Sequence, residues 1–225
     1  MIRTTTLVAV CLLLQFSTQL SSAKVTFHAH FDGANPNADY ALGSKVAKPA
    51  VLGSYKLSKT CPDGRFGGGL DLRTPTANCV FDGAKNFNPR RGTVDFWFRI
   101  DAHKNREYHP LFGWYRPPHL PGRRKRVSGI ELYYNNTTMV LAIHSKKHKS
   151  VQKAAPYQLK KWHHCEISWD CTLGSGRSFY SVSLDGKLVI RILDGEPLTG
   201  SGGKIHVGIW DYGFAHHLRG AIDEL

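Results

Sequence analysis

The sequence contains no apolar run long enough to cross a bilayer, which takes about 20 residues. The longest candidate, Leu7–Leu14 (LVAVCLLL), is too short, and no second run follows it. A basic residue precedes this run and the small residues of Ser21–Ala23 follow it, as in a cleavable signal peptide. We therefore predict a signal peptide over residues 1–23 and an exported domain over residues 24–225, secreted or periplasmic and without a membrane span.

Cysteine is scarce. Cys11 belongs to the predicted signal peptide, which leaves four cysteines in the remaining chain. No C-x-x-C motif or Cys/His cluster at finger spacing is present, which argues against a structural zinc finger. An even number of cysteines suits an oxidising compartment, and three pairings are open. We favour Cys61–Cys79 and Cys165–Cys171, because each pair brackets a stretch rich in Gly, Pro, Thr or Asp.

Helical periodicity is also absent, since no stretch longer than two turns repeats apolar residues every 3.6 positions. Strict alternation of apolar and polar residues dominates instead, in Val25–Asp32, Gly92–Asp101, Trp162–Asp170 and Lys204–Trp210. A period of two over segments of this length predicts half-buried β-strands.

Turn residues separate the predicted strands. Asp185–Gly186 and Asn135–Asn136 each lie between two alternating segments and predict β-hairpins. Longer loops are predicted over Gly33–Tyr55 and over Arg116–Val127. Many short strands without helices predict an all-β, two-sheet antiparallel β-sandwich of the jelly-roll kind.

Six motifs follow one another in a recognisable order. They are Phe27–Gly33 (FHAHFDG), Gly64–Leu72 (GRFGGGLDL), Gly92–Asp101 (GTVDFWFRID), Trp162–Asp170 (WHHCEISWD), Ser181–Val189 (SVSLDGKLV) and Arg219–Leu225 (RGAIDEL). This series resembles the laminin-G-like jelly-roll branch of the concanavalin A-like lectin/glucanase superfamily. Members usually continue past the last motif, so we expect the final strand here to be truncated or short.

That resemblance implies a fold but not one activity, because the fold carries lectins, hydrolases, lyases and adhesion modules. Charge is more specific. Of the formal charge of +13, +10 lies in Arg116–Lys161, where eleven Lys/Arg accompany a single acid, Glu131. Such a field attracts polyanions, and outside a cell these are sulfated or uronic-acid glycans rather than nucleic acid. A solvated loop and a processing site at Arg123–Arg126 are the alternatives.

Aromatic rings next to this charge would stack on the C–H faces of sugars. The predicted ligand-binding residues are Trp97, Trp114, Arg116, Arg123, Arg124, Lys125, Arg126, Lys146, Lys147, Trp210 and Tyr212. They predict non-catalytic recognition of a carbohydrate, namely an acidic or sulfated polysaccharide. The alternative role for two of the tryptophans, Trp97 and Trp162, is to pack under loops. An adhesion module that binds an extracellular protein is the alternative function without a glycan.

Catalysis by paired carboxylates is not expected, because the E-x-D-x-x-E signature of the superfamily's glucanases is missing. A polysaccharide lyase is the enzymatic alternative. Elimination from a uronate needs a cation, a base and an acid, and the candidates are His144, Tyr133, Arg99 and His206, if they meet on one face.

No cofactor is required by this interpretation. The resemblance allows structural calcium at Asp32 and Asp223, which belong to the first and last strands. The sequons at Asn135 and Asn136 lie at a predicted hairpin tip and would be glycosylated only in a eukaryotic secretory route.

Overall fold

A computed structural model of the chain describes residues 24–49, 55–74, 76–102, 108–115, 128–145, 148–174, 177–200, 202–210 and 216–225. The predicted signal peptide and most of the predicted basic residues lie outside these ranges. Within them no helix forms, and none is therefore long or apolar enough to span a membrane.

The described residues form sixteen strands. In chain order they are β1 (Phe27–His28), β2 (Tyr40–Ala41), β3 (Lys56–Leu57), β4 (Thr60–Cys61), β5 (Gly69–Asp71), β6 (Ala77–Asp82), β7 (Arg91–Ile100), β8 (Tyr108–Tyr115), β9 (Gly129–Asn135), β10 (Thr138–His144), β11 (Lys149–Ala154), β12 (Trp162–Asp170), β13 (Phe179–Leu184), β14 (Lys187–Leu193), β15 (Lys204–Val207) and β16 (Gly220–Asp223).

Two seven-stranded sheets pack face to face. The first sheet has the order β11-β10-β9-β8-β15-β6-β3 and the second the order β14-β13-β12-β7-β16-β5-β4, while β1 and β2 form a separate pair. All named pairs are antiparallel except β3 with β6. The predicted all-β sandwich is therefore confirmed.

Alternation places one side of each sheet in a shared core. In β12, Cys165, Ile167 and Trp169 point inward and are buried, whereas the residues between them are partly exposed. A stack of three rings joins the sheets: Phe87 lies 4.7 Å from Trp114 of the first sheet and 4.9 Å from Trp169 of the second, between ring centroids. Both indole N–H groups donate to backbone carbonyls, so the rings are held without unpaired polar atoms.

Both predicted hairpins are present. Asp185 and Gly186 have φ values of 50° and 76° between β13 and β14, which a tight turn of the primed type requires. The chain also turns after Asn135, where Asn136 has a φ of 55°. The two sequons thus lie at a hairpin tip. The first predicted strand is shorter than its alternation suggested, since only Phe27–His28 pairs as a strand.

All four described cysteines are free thiols, so neither predicted bridge is present in the structure. Cys165 lies within β12 and Cys171 follows the end of that strand. At about 3.3 Å per residue, six extended residues separate the two by about 20 Å, far beyond the reach of a disulfide. Cys61 and Cys79 belong to different sheets.

Candidate functional site

The outer side of the first sheet carries a row of polar and aromatic residues from neighbouring strands. Register places His206, Gly113 and Glu131 side by side across β15, β8 and β9. The next row contains Tyr115 and His144, opposite each other across Gly129. We call this surface the outer polar face, and it comprises Tyr108, Gly113, Tyr115, Gly129, Glu131, Tyr133, His144, His206, Trp210 and His216.

A hydrogen-bonded chain runs through this face from the interior to the surface. The Tyr115 hydroxyl donates to Oε1 of Glu131, and Nε2 of His144 lies 3.2 Å from Oε2 of the same carboxylate. On its other side, Nδ1 of His144 lies 3.1 Å from Nδ1 of His148, which is exposed. Glu131 is only 3% exposed, so its carboxylate is held in place by partners rather than by water.

Two glycines make room for the tyrosine at the start of this chain. The Tyr115 ring crosses the sheet so closely that a Cβ on Gly113 would lie 2.9 Å from Cε2 of that ring. A Cβ on Gly129 would meet the ring's Cδ1 at the same distance. Glycine at both positions therefore sets the orientation of the Tyr115 hydroxyl towards Glu131.

Four half-buried rings form a cluster at the other end of β8. The Trp210 ring centroid lies 5.2 Å from Tyr108, 5.0 Å from Tyr133 and 5.2 Å from His216. Tyr133 is two residues from Glu131 on β9, or about 7 Å along the strand. Aromatic rings and a fixed carboxylate therefore lie within one or two sugar lengths of each other.

Two predicted basic segments join this face at one edge. Arg116–Val127 connects the end of β8 to the start of β9, and Lys146–Lys147 follows the end of β10. Both lie outside the described residues, but Tyr115, Gly129 and His144, to which they connect, are neighbours at that edge. Lys160 lies at the end of the sandwich opposite Tyr115 and His144. Its backbone N–H donates to the Ile100 carbonyl, with an N to O distance of 2.8 Å.

The structure separates the predicted tryptophans. Trp210 belongs to the outer polar face, whereas Trp114 is fully buried in the core, so its prediction as a ligand-binding residue is wrong. The alternation of β8 turns Trp114 into the core between the sheets and Tyr115 to the other side of the sheet, where Tyr115 is buried too. Trp97 lies on the outer side of the second sheet, with the Arg65 guanidinium 4.7 Å from its ring centroid. Tyr212 and the predicted arginines and lysines, namely Arg116, Arg123–Arg126, Lys146 and Lys147, lie outside the described residues.

Three of the four lyase candidates belong to the outer polar face. Tyr133 and His144 are separated by about four residues along the sheet, or about 13 Å, and Tyr115 is the tyrosine that reaches the His144–Glu131 pair. Arg99 does not join them, because β7 belongs to the second sheet. Its guanidinium is held there by Asp63 at 2.7 Å and Asp101 at 2.6 Å.

Asp32 and Asp223 both accept backbone N–H groups of the loop that contains Arg65, Phe66 and Gly68. Asp223 Oδ2 accepts the backbone N–H groups of Arg65 and Phe66, and its Oδ1 accepts that of Glu224. Asp32 accepts the N–H of Gly68 at 2.5 Å. Burial raises the pKa of Asp223. A calcium ion takes several oxygen ligands, and structural calcium at Asp32 and Asp223 stays a prediction.

Sequence patterns did not identify four residues of the outer polar face as site residues, namely Tyr108, Tyr115, Glu131 and His216. The one available signal was Glu131, the single acid in a stretch of eleven basic residues. The Asn135–Asn136 hairpin pairs β9 with β10 and so brings His144 near Glu131, but no local motif specifies the pairing of β8 with β9 that adds Tyr115.

Comparison with known families agrees with this architecture. A laminin G family profile, described as concanavalin A-like lectin/glucanases superfamily, matches residues 73–225. A comparison with curated protein sequences finds no match.

Solved structures share the fold at low sequence identity. Domain 4 of AbnA, a GH43 extracellular arabinanase from Geobacillus stearothermophilus solved with arabinotriose, is 17% identical, with 90% of each chain covered and a TM-score of 0.65. The botulinum neurotoxin type G receptor binding domain is 10% identical over 90% of this chain and 47% of that one, with a TM-score of 0.59. The binding domain of Paraclostridial mosquitocidal protein 1 is 9% identical over 89% and 47%, with a TM-score of 0.58.

Proposed function

The chain belongs to the concanavalin A-like lectin/glucanases superfamily, in its laminin G branch, and from that premise we propose that it is an exported carbohydrate-binding module. The outer polar face is the binding surface, and an acidic or sulfated polysaccharide is the ligand. The observation that carries this proposal is the Tyr108–Tyr133–Trp210–His216 ring cluster, which lies on the same face of the first sheet as the fixed Glu131 carboxylate.

Each part has a separate role in recognition. The ring cluster offers faces on which the C–H side of a sugar stacks. This stacking does not depend on the charge of the sugar. The buried Glu131 carboxylate fixes the orientation of the partly exposed His144, and the imidazoles of His144 and His148 offer ring nitrogens to the hydroxyl groups of the ligand. The lysines and arginines of Arg116–Val127 and Lys146–Lys147 add long-range attraction for sulfate or carboxylate groups. No chemical step is involved.

A binding titration with heparin, alginate and a neutral glucan tests the proposal. We expect affinity for an acidic polymer that falls as salt is added, because exposed charges are screened within about 8 Å at physiological ionic strength. Replacement of Arg123, Arg124, Lys125 and Arg126 by glutamine should weaken this binding. The matched control replaces Lys160 and Lys161, two lysines at the end of the sandwich opposite Tyr115 and His144, and should leave the binding unchanged. Retention that is insensitive to salt would contradict the acidic ligand.

A polysaccharide lyase is the second candidate, and the Tyr115–Glu131–His144 chain favours it because it combines a tyrosine and a histidine on a buried carboxylate. Elimination would produce an unsaturated uronate with ultraviolet absorbance. Growth of that absorbance on mixing the protein with uronate polymers, lost in His144→Gln, would replace the binding proposal by the catalytic one. Constant absorbance with every uronate polymer tested would exclude the lyase hypothesis.

A further inference from the structure

Two histidines and a glutamate meet where the first and last described segments join. Ala29 and Leu225 exchange two backbone hydrogen bonds. The N to O distance is 2.6 Å where Ala29 donates and 3.1 Å where Leu225 donates. His28 and His30 flank Ala29, so in an extended segment their side chains point to the same side. Glu224 precedes Leu225 and faces them.

The three side chains converge on one point. Nδ1 of His30 lies 3.0 Å from each carboxylate oxygen of Glu224, and Nε2 of His28 lies 3.3 Å from Oε2. All three ligand atoms lie within 4.8 Å of one another. The side chains are 37%, 41% and 24% exposed for His28, His30 and Glu224, so an ion can reach them from solvent.

We propose that His28, His30 and Glu224 form a Zn²⁺ site with an open coordination position. Bonds of about 2.0–2.1 Å from a tetrahedral zinc to nitrogen and oxygen place neighbouring ligand atoms about 3.3 Å apart. Both imidazole-to-carboxylate distances are already near this value, and rotation of one exposed histidine closes the remaining separation. Three protein ligands leave a fourth position for water.

The chemistry of the donors selects the metal. Two imidazole nitrogens and a single carboxylate suit zinc and similar transition ions, whereas calcium and magnesium require mainly oxygen ligands. The backbone around the donors is also fixed in an unusual way. Phe31 and Glu224 have φ values of 63° and 54°, which residues other than glycine rarely adopt. The backbone hydrogen bonds between Ala29 and Leu225 lie next to both residues.

The open position lies beside a groove. His28 and Glu224 line a cavity of about 1050 Å³ whose wall also includes Thr26, next to β1, and Asp95 and Trp97 of β7 in the second sheet. The site is therefore separate from the outer polar face of the first sheet, and it stands or falls independently of the carbohydrate proposal.

Isothermal titration of the purified, metal-free protein with zinc chloride tests the site. We expect the unmodified protein to bind one equivalent of zinc at this site. His28→Gln and His30→Gln should each weaken the affinity of that equivalent by more than about tenfold, because loss of even an outer-shell partner costs 10–100-fold. The matched control is His164→Gln. In the unmodified protein Nε2 of His164 lies 2.9 Å from the carboxylate of Asp95, and the variant should still bind this equivalent of zinc. Excess calcium should not compete.

Three outcomes would overturn the proposal. They are no zinc uptake by the unmodified protein, unchanged uptake in both histidine variants, or an equal loss in the His164→Gln control. Circular dichroism of each variant, recorded alongside, shows whether the sandwich is intact, and the titration of the unmodified protein decides the matter even if one variant fails to fold.

Discussion

Gly113 is the residue whose side chain, a single hydrogen, most directly shapes the outer polar face. A methyl group there would press on the Tyr115 ring at 2.9–3.1 Å, in a strand where neither the ring nor the backbone has room to move. We therefore expect Gly113→Ala to lower the free energy of unfolding by about 1–3 kcal/mol, measured by urea denaturation, and to weaken carbohydrate binding by moving Tyr115 off Glu131.

Gly33→Ala is the matched control for this substitution. The added Cβ would meet its nearest neighbour, the Asn35 carbonyl oxygen, at 3.7 Å, which is an ordinary contact. Its effect should stay within about 0.5 kcal/mol. Equal costs at Gly33 and Gly113 would contradict the packing argument.

Asp63 supplies a pH dependence with a defined sign. Contacts with the Cys61 thiol and then with the Arg99 guanidinium lower the pKa of Asp63 to about 2. Folding therefore favours the ionised form. Its contribution to stability is complete above the unfolded-state pKa of about 3.9 and is lost as the pH falls towards 2. Asp63→Asn should flatten the stability profile between about pH 4 and pH 2, as recorded by thermal melts.

Removal of the partner tests the same contact from the other side. Arg99→Gln takes one donor away from Asp63, which should raise the pKa of that carboxyl group and reduce the acid dependence in the same direction. An unchanged profile in both variants would show that other carboxyl groups govern stability in acid.

Strand β14 shows how an element departs from its own alternation. The pairing with β13 shifts between Val182 and Ser183, so Val182 lies opposite Ile190 while Ser183 lies opposite Leu188. One extra residue on β14 reverses the side to which the chain points. Leu188 is thus 58% exposed and Ile190 fully buried, although they are two residues apart.

Ile190→Ala should therefore cost about 2–5 kcal/mol of unfolding free energy through the cavity it leaves. Leu188→Ala, an equally apolar residue on the same strand, should change stability by no more than about 0.5 kcal/mol. Urea denaturation of the two variants compares them directly. Similar losses would mean that the bulge does not exist in solution.

The same strand explains where sequence reasoning succeeds and where it stops. The turn at Asp185–Gly186 was predictable, because few residue pairs accept two positive φ values in succession. The strand Trp162–Asp170 was predictable to its last residue, because alternation over nine residues has no helical equivalent. The bulge in β14 was not, since it depends on the partner strand rather than on β14 itself.

At the scale of the molecule, the jelly roll followed from six ordered motifs, but the composition of each face did not. Trp97 and Trp210 have the same local signature, an indole on the polar side of an alternating strand. The fold places Trp97 on β7 of the second sheet, whereas Trp210 lies beyond the end of β15 and contacts Tyr133 of the first sheet. The Tyr115–Glu131–His144 chain likewise needs the pairing of β8 with β9, which the predicted β9–β10 hairpin does not specify.

Trp97 and Trp210 also provide the most direct test of the central claim, that the first sheet's outer polar face binds carbohydrate. Titrations with the best glycan of the panel should show Trp210→Ala losing at least about tenfold in affinity, or about 1.4 kcal/mol. Trp97→Ala should stay within about twofold of the unmodified protein, a difference below about 0.5 kcal/mol. The reverse order, with Trp97 essential and Trp210 dispensable, would place binding on the second sheet and contradict the account.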